Sequence, residues 1–225
     1  MSQVGVRPKS DLLDALRGMP TGYGTDAFVR LGLTGWITGL RASVPLRTRR
    51  VVGPAITAWF APIRGKRGSG PSMYAFLRES PPGSVVVISG GAADGVTVGS
   101  NMVTQAQVAG MEAIVTDGAV RDLAEIRELG CPVFFQANAI KHATWLELVS
   151  VNVAVTVGGA RIHPGDIIFA DEDGGLVIPP EHLEDVVLNA QEIAQLEAEQ
   201  GRIIREGRSL DELNAVLKKK KQPRA

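Results

Sequence analysis

Short apolar runs alternate with polar, glycine-rich turns through the middle of the chain and predict strands alternating with helices. Residues 85–88 form a β-branched run that stops at Ser89-Gly90-Gly91-Ala92-Ala93-Asp94-Gly95. Residues 100–109 have helical character and are closed by Gly110. Residues 113–116 form a second buried run, which ends at the turn dipeptide Asp117-Gly118 before Arg121-Asp122 open another helix. Strand, loop, helix, strand, loop, helix is the order of an α/β unit. Ligands of such sheets bind where strand ends lead into helices, which marks the stretches 99–102 and 118–122.

The flanks follow the same logic. A helix is predicted over 10–17 and a second over 21–30, beginning near Thr25-Asp26 with Asp26 as its cap. Residues 51–60 predict a strand entered through a Gly53-Pro54 turn, and 64–71 a basic, exposed loop. A helix over 72–78 ends at Pro81-Pro82-Gly83. The second half changes to short strands at 132–136, 148–157, 160–162, 167–170 and 175–178, a largely β layer rather than further βαβ units. One long amphipathic helix is expected from Pro180 to about Glu206, with Leu183, Val186, Val187, Ile193 and Leu196 as its apolar stripe. Residues 218–225 are basic and read as a frayed tail.

Composition narrows the function classes. With 225 residues, 44% of them hydrophobic, the chain has enough apolar content for a sizeable core. Lys plus Arg and Asp plus Glu number 24 each, so net charge advertises neither a nucleic-acid nor a membrane partner. The single cysteine, Cys131, excludes an intramolecular disulfide and reads as a core residue. No secretory opening or bilayer-length apolar run is present, so a cytoplasmic location is expected. His142, His163 and His182 share no metal-cluster spacing, and no nucleophile elbow appears. The 89–95 loop lacks the Lys-Ser/Thr of a P-loop and misplaces the second glycine of a dinucleotide fingerprint. Asp171-Glu172-Asp173 begins like an EF-hand loop but lacks the rest, and reads as a polar hairpin turn.

Arg121-Asp122 sets a cation beside an anion at a strand-to-helix junction. A guanidinium grips a carboxylate bidentately, a carboxylate holds a hard cation, and helix-start amides favour anions. Together they describe a site for a small metal-chelating acid. The same residues have a purely local reading, in which Asp122 and Glu125 form a capping-box variant and Arg121 is solvated.

Gly99-Ser100-Asn101-Met102, an intervening helix, Gly110, and the string Val115-Thr116-Asp117-Gly118-Ala119-Val120-Arg121-Asp122 resemble the RraA-like family. That family includes the regulator of ribonuclease E activity and the class II 4-hydroxy-4-methyl-2-oxoglutarate aldolases. The resemblance runs from Thr25-Asp26-Ala27 through Gly53-Pro54-Ala55, Pro132-Val133-Phe134, Pro164-Gly165-Asp166 and Ala170-Asp171 to residues 204–207. It implies a single domain over 1–225 with an α/β, three-layer swivelling β/β/α fold, N-terminal helices and a long C-terminal helix. It further implies a homotrimer or a homohexamer built as a dimer of trimers, with sites between subunits. By the same resemblance Asp122 holds magnesium or manganese and Arg121 contacts the bound 2-oxo acid. Gly99, Ser100, Asn101 and Met102 bind substrate, with amides of the 100–102 loop receiving its carboxylate. Glu197 of a neighbouring subunit, with Glu199 in reserve, completes the outer metal shell. The implied activity is that of a lyase, an aldolase or oxaloacetate decarboxylase working through a pyruvate enolate.

The resemblance departs at Ser100, where the active aldolases carry an aspartate thought to orient a proton-moving water. A serine is neutral and is no general base at ordinary pH without activation. Asp94 and Asp26 are candidate substitutes for the missing carboxylate, and Ser89 likewise replaces a common aspartate. The alternative function is that of a non-catalytic protein-binding regulator of the ribonuclease E inhibitor type.

Overall fold

A computed structural model describes residues 10–46, 49–64, 68, 70–91 and 95–222. Two helices come first, α1 (Ser10–Arg17) and α2 (Thr21–Leu31), followed by the short strands β1 (Trp36–Ile37) and β2 (Arg41–Ala42). Next come β3 (Val51–Pro62), α3 (Met73–Glu79), β4 (Val85–Ser89), β5 (Val96–Val98), α4 (Ser100–Val108), β6 (Ala113–Val120) and α5 (Leu123–Leu129). The remainder is β7 (Val133–Asn138), β8 (Leu146–Val151), β9 (Val155–Val157), β10 (Ala160–Ile162), β11 (Ile167–Asp171) and β12 (Gly174–Ile178). A 3-10 turn over Pro180–His182 leads into α6 (Leu183–Arg205), and α7 (Leu210–Lys220) closes the described chain.

The layers are organised around β3. Its first residues, 51–54, pair antiparallel with β11, and from Ala55 on it pairs in parallel with β4. The strands β3, β4, β6 and β7 thus form a parallel centre, bridged by α3, α4 and α5. Side-chain alternation along these strands divides the apolar residues between two faces. Val86, Ile88, Ile114 and Phe135 pack under the helices against Phe76, Leu77, Val103 and Ile126. Val85, Val87, Val115 and Phe134 face the other way, onto Val155, Val157, Ile162, Ile168 and Val177. Alternation repeats in β11, whose Ile167 and Phe169 turn outward to meet Phe28, Leu183, Val186 and Ile193. The architecture is the expected β/β/α arrangement, with α1, α2 and α6 as a further cover on the second β layer.

Several local expectations change. Helix α2 starts at Thr21, not near Asp26, because its cap comes from a distant residue: Asp171 accepts Thr21 N–H at 3.0 Å and the Thr21 hydroxyl at 2.8 Å. Gly53-Pro54 is no turn. Pro54, which has no N–H to donate, stands where β3 exchanges β11 for β4, and a Cβ on Gly53 would lie 2.3 Å from the Gly83 carbonyl oxygen. The strand expected over 148–157 breaks at Asn152, whose φ is 52°. Asp117-Gly118 does not end β6 but forms a bulge within it, where the register to β7 shifts between Thr116 and Ala119. Residues 218–220 are not frayed: they form the last turn of α7, held by the Arg30 guanidinium on the carbonyls of Lys219 (3.1 Å) and Lys220 (2.6 Å). Residues 223–225 lie outside the described residues. Glu172 and Asp173 do make the expected hairpin turn between β11 and β12.

Candidate active site

Three-residue β5 creates the site by lying along the end of β6. Val98 pairs with Val120 and its carbonyl accepts Arg121 N–H at 3.1 Å, so Gly99 and Arg121 leave the sheet side by side. Asp122 then enters the left-handed region at φ 60°, a conformation aspartate tolerates better than most residues. Its carboxylate makes no capping bond to α5, so the capping-box reading fails. The Asp122 Oδ2 instead accepts Ser100 N–H at 3.2 Å and the Ser100 hydroxyl at 3.3 Å, and lies 3.4 Å from Arg121 Nε. Glycine at 99 permits this packing, since a Cβ there would sit 3.0 Å from Asp122 Oδ2 and 3.2 Å from Arg121 Nε.

Arg121, Asp122, Leu123, Asn138 and Ile140 line a cavity of about 410 Å³, into whose wall the Arg121 and Asp122 side chains remain about a third exposed. Arg121 Nη1 donates to His142 Nε2, a partner that sequence reasoning missed and that no spacing signal announces across 21 positions. Asn138 Oδ1 accepts from Arg41 at 2.9 Å. Of the amides at 100–102, the first turn of α4, that of Ser100 serves Asp122 and that of Met102 closes on the Gly99 carbonyl at 3.0 Å. Asn101 keeps the one N–H of the three without a hydrogen bond among the described residues. Asp117 acts beside the site as a loop clamp: its Oδ1 accepts the amides of Gly90 (2.8 Å) and Gly91 (3.2 Å).

Not every candidate joins this group. Glu197 pairs with Lys220, which also lies 3.3 Å from Asp26, so α2, α6 and α7 share one charge cluster away from Arg121 and Asp122. Burial alone would lower the Lys220 pKa, but the two carboxylates outweigh it and hold the ammonium above its ordinary range. Asp26 is therefore not a carboxylate of the Asp122 site within this chain. Glu199 is half-buried on α6, two residues beyond Glu197. Asp94 lies outside the described residues.

Among the described residues no three His, Cys, Asp or Glu side chains converge as a metal cage. Magnesium commonly needs only one or two protein carboxylates, keeping water and substrate oxygens for the rest. Asp122 supplies one, and its Oδ1 makes no hydrogen bond to the described residues. That donor set fits a hard, hydrated ion and does not fit a closed zinc site.

Three relatives place the chain. A Halalkalibacterium halodurans protein, provisionally named a 4-hydroxy-4-methyl-2-oxoglutarate aldolase, is 31% identical over 183 residues, covering 80% of this chain and 82% of the relative. The crystal structure of Streptomyces coelicolor RraAS2, described as an unusual member of the RNase ES inhibitor RraA protein family, shares 30% identity at a TM-score of 0.78, covering 88% of this chain and 98% of that one. An uncharacterized protein from Pseudomonas syringae pv. tomato shares 27% identity at a TM-score of 0.84, covering 96% and 98%. With the family match itself spanning residues 10–177, the chain belongs to the RraA-like family, Aldolase/RraA.

Proposed function

We propose that the chain is a divalent-metal-dependent lyase that cleaves a small 2-oxo acid at the Arg121–Asp122 cavity. The observation carrying this reading is one guanidinium beside one carboxylate with a free oxygen, packed together against Gly99 in the wall of one cavity. Asp122 is the residue that would hold magnesium or manganese, which when bound supplies Lewis-acid stabilisation of negative charge on a chelating 2-oxo acid. Arg121 adds a fixed positive charge where an enolate develops, and the Asn101 N–H at the start of α4 suits the substrate carboxylate. The reading includes a trimer or dimer of trimers in which Glu197 or Glu199 of a neighbouring copy approaches the metal shell.

Ser100 decides between two reactions that share this enolate. Retro-aldol cleavage needs a base to take the proton of the 4-hydroxyl group, whereas decarboxylation of oxaloacetate loses carbon dioxide directly and takes up a proton afterwards. Here the Ser100 hydroxyl is spent on Asp122. Oxaloacetate decarboxylation is therefore the expected stronger activity. With magnesium, purified protein should form pyruvate faster from oxaloacetate than from 4-hydroxy-4-methyl-2-oxoglutarate, and a chelator should stop both. Turnover that survives the chelator would contradict the reading.

The neutral hydroxyl at Ser100 also favours a second reading, a non-catalytic regulator of ribonuclease E type, and RraAS2 is a relative with a described inhibitor kinship. Binding and inhibition of the endonuclease by a chain without lyase activity would establish that reading instead.

A further inference from the structure

His142 belongs to no pattern that marks Arg121 and Asp122, yet its ring ends on the Arg121 guanidinium. Arginine can only donate, so the imidazole accepts through Nε2. The connection that carries His142, between β7 and β8, is itself anchored. Val96 N–H donates to the Lys141 carbonyl at 2.9 Å, Val96 and His142 form an isolated bridge, and Thr144 N–H closes on the His142 carbonyl at 2.8 Å. Trp145 packs where a Cβ on Gly95 would come within 2.7 Å of its ring, and Lys141 Nζ sits 4.4 Å above that ring. The strand that receives this connection, β5, is the one whose Val98 carbonyl also holds the Arg121 backbone. One short strand therefore sets both ends of the Arg121–His142 contact.

We propose that His142 is the positioning residue for Arg121, fixing the guanidinium so that it presents Nη2 to a substrate carboxylate. Arg121 Nε is buried without a hydrogen bond, 3.4 Å from Asp122, and Nη1 is taken by His142. Nη2, like Nε, makes no hydrogen bond to the described residues, but unlike Nε it is not buried, and it belongs to a side chain lining the cavity. An arginine about a third exposed whose only other polar neighbour is Asp122, 3.4 Å from Nε, would spread over several rotamers and lose part of its grip on ordering a ligand. His142 removes that freedom without entering the reaction. The inference rests on the 2-oxo acid reading of the site.

Calorimetric titration with oxalate in the presence of magnesium tests it through binding rather than turnover. Arg121→Ala should weaken oxalate by about a hundredfold or more, and His142→Ala by about tenfold, the scale of one charge-assisted hydrogen bond. His142→Gln, which keeps an acceptor oxygen, should bind within about threefold of the parent. In the Arg121→Ala background, His142→Ala should add nothing, because a positioning residue has no effect without the group it positions. His142 is exposed, so these substitutions spare the core. Full oxalate affinity in His142→Ala, or an additive double variant, would overturn the role of His142 while leaving the site intact. Unchanged affinity in Arg121→Ala would overturn the site reading beneath it.

Discussion

Asp122 spends its side chain on Ser100 rather than on the helix it precedes, and this exchange is the main electrostatic fact at the site. Two hydrogen bonds from one neutral residue tether Oδ2, so the carboxylate is oriented with no second carboxylate beside it among the described residues. Ser100→Asp would reverse that. In metal-free buffer two carboxylates would face each other, and the variant should lose about 1 kcal/mol, seen as a fall of a few degrees in melting temperature. Magnesium should restore the loss in the variant more than it shifts the parent, and retro-aldol turnover should rise. A variant whose melting temperature ignores magnesium would contradict the placement of the ion at Asp122.

At the scale of elements, α7 is fastened by a residue 190 positions away. The Arg30 side chain is 1% exposed and reaches Lys219 O, Lys220 O, Asn189 and Glu192, the last at 2.9 Å. A guanidinium at the C-terminal carbonyls of a helix complements both their lone pairs and the helix dipole. Arg30→Ala should cost about 3 kcal/mol in denaturant unfolding and speed hydrogen exchange in α7 while sparing β6. Equal protection of α7 in parent and variant would contradict the latch.

The same long-range contact explains what the sequence alone could not reveal. Apart from β5, the alternating strands and helices from Val85 to Leu129 were readable because their signals are local: β-branched runs, Gly110, and the Pro81-Pro82-Gly83 break. Lys219 and Lys220 looked solvated because their backbone partner is Arg30 and the Lys220 side chain meets Glu197 and Asp26, and Asp26 looked like a cap because the true cap is Asp171. Asp117-Gly118 has turn chemistry, but a Cβ on Gly118 would lie 2.2 Å from Thr97 Oγ1, so the glycine serves close approach to β5. Arg121 and Asp122 could be singled out from their neighbours in sequence. His142 could not, because its position depends on β5, a strand of three residues with little periodicity to detect.

Across the whole molecule, the apolar clusters of the sheet layers meet through strands whose alternate residues serve different layers, and burial there has a titratable consequence. Cys131 is 4% exposed, and desolvation, partly offset by Arg49 and reinforced by Glu112, pushes its thiol up to about 11 from 9.0. Between those two pH values the unfolded chain releases a proton that the folded chain retains, so unfolding gains. Stability is unaffected by this group below pH 9 and should decline by about 3 kcal/mol as pH rises through 11. Urea unfolding at pH 8.5 and 11 should show that increment in the parent, and Cys131→Ala should lack it. Among the described residues no helix is long and apolar enough to cross a membrane.

The central measurement remains the rate of pyruvate formation from oxaloacetate, with magnesium, by the parent chain beside Arg121→Ala and Asp122→Ala at matched folded concentration. A drop of about a hundredfold to a thousandfold in each variant is expected, the scale of losing one preorganised charge at a developing enolate. Parent-like rates in both variants, with their folds intact, would contradict the assignment of this pair to the chemistry.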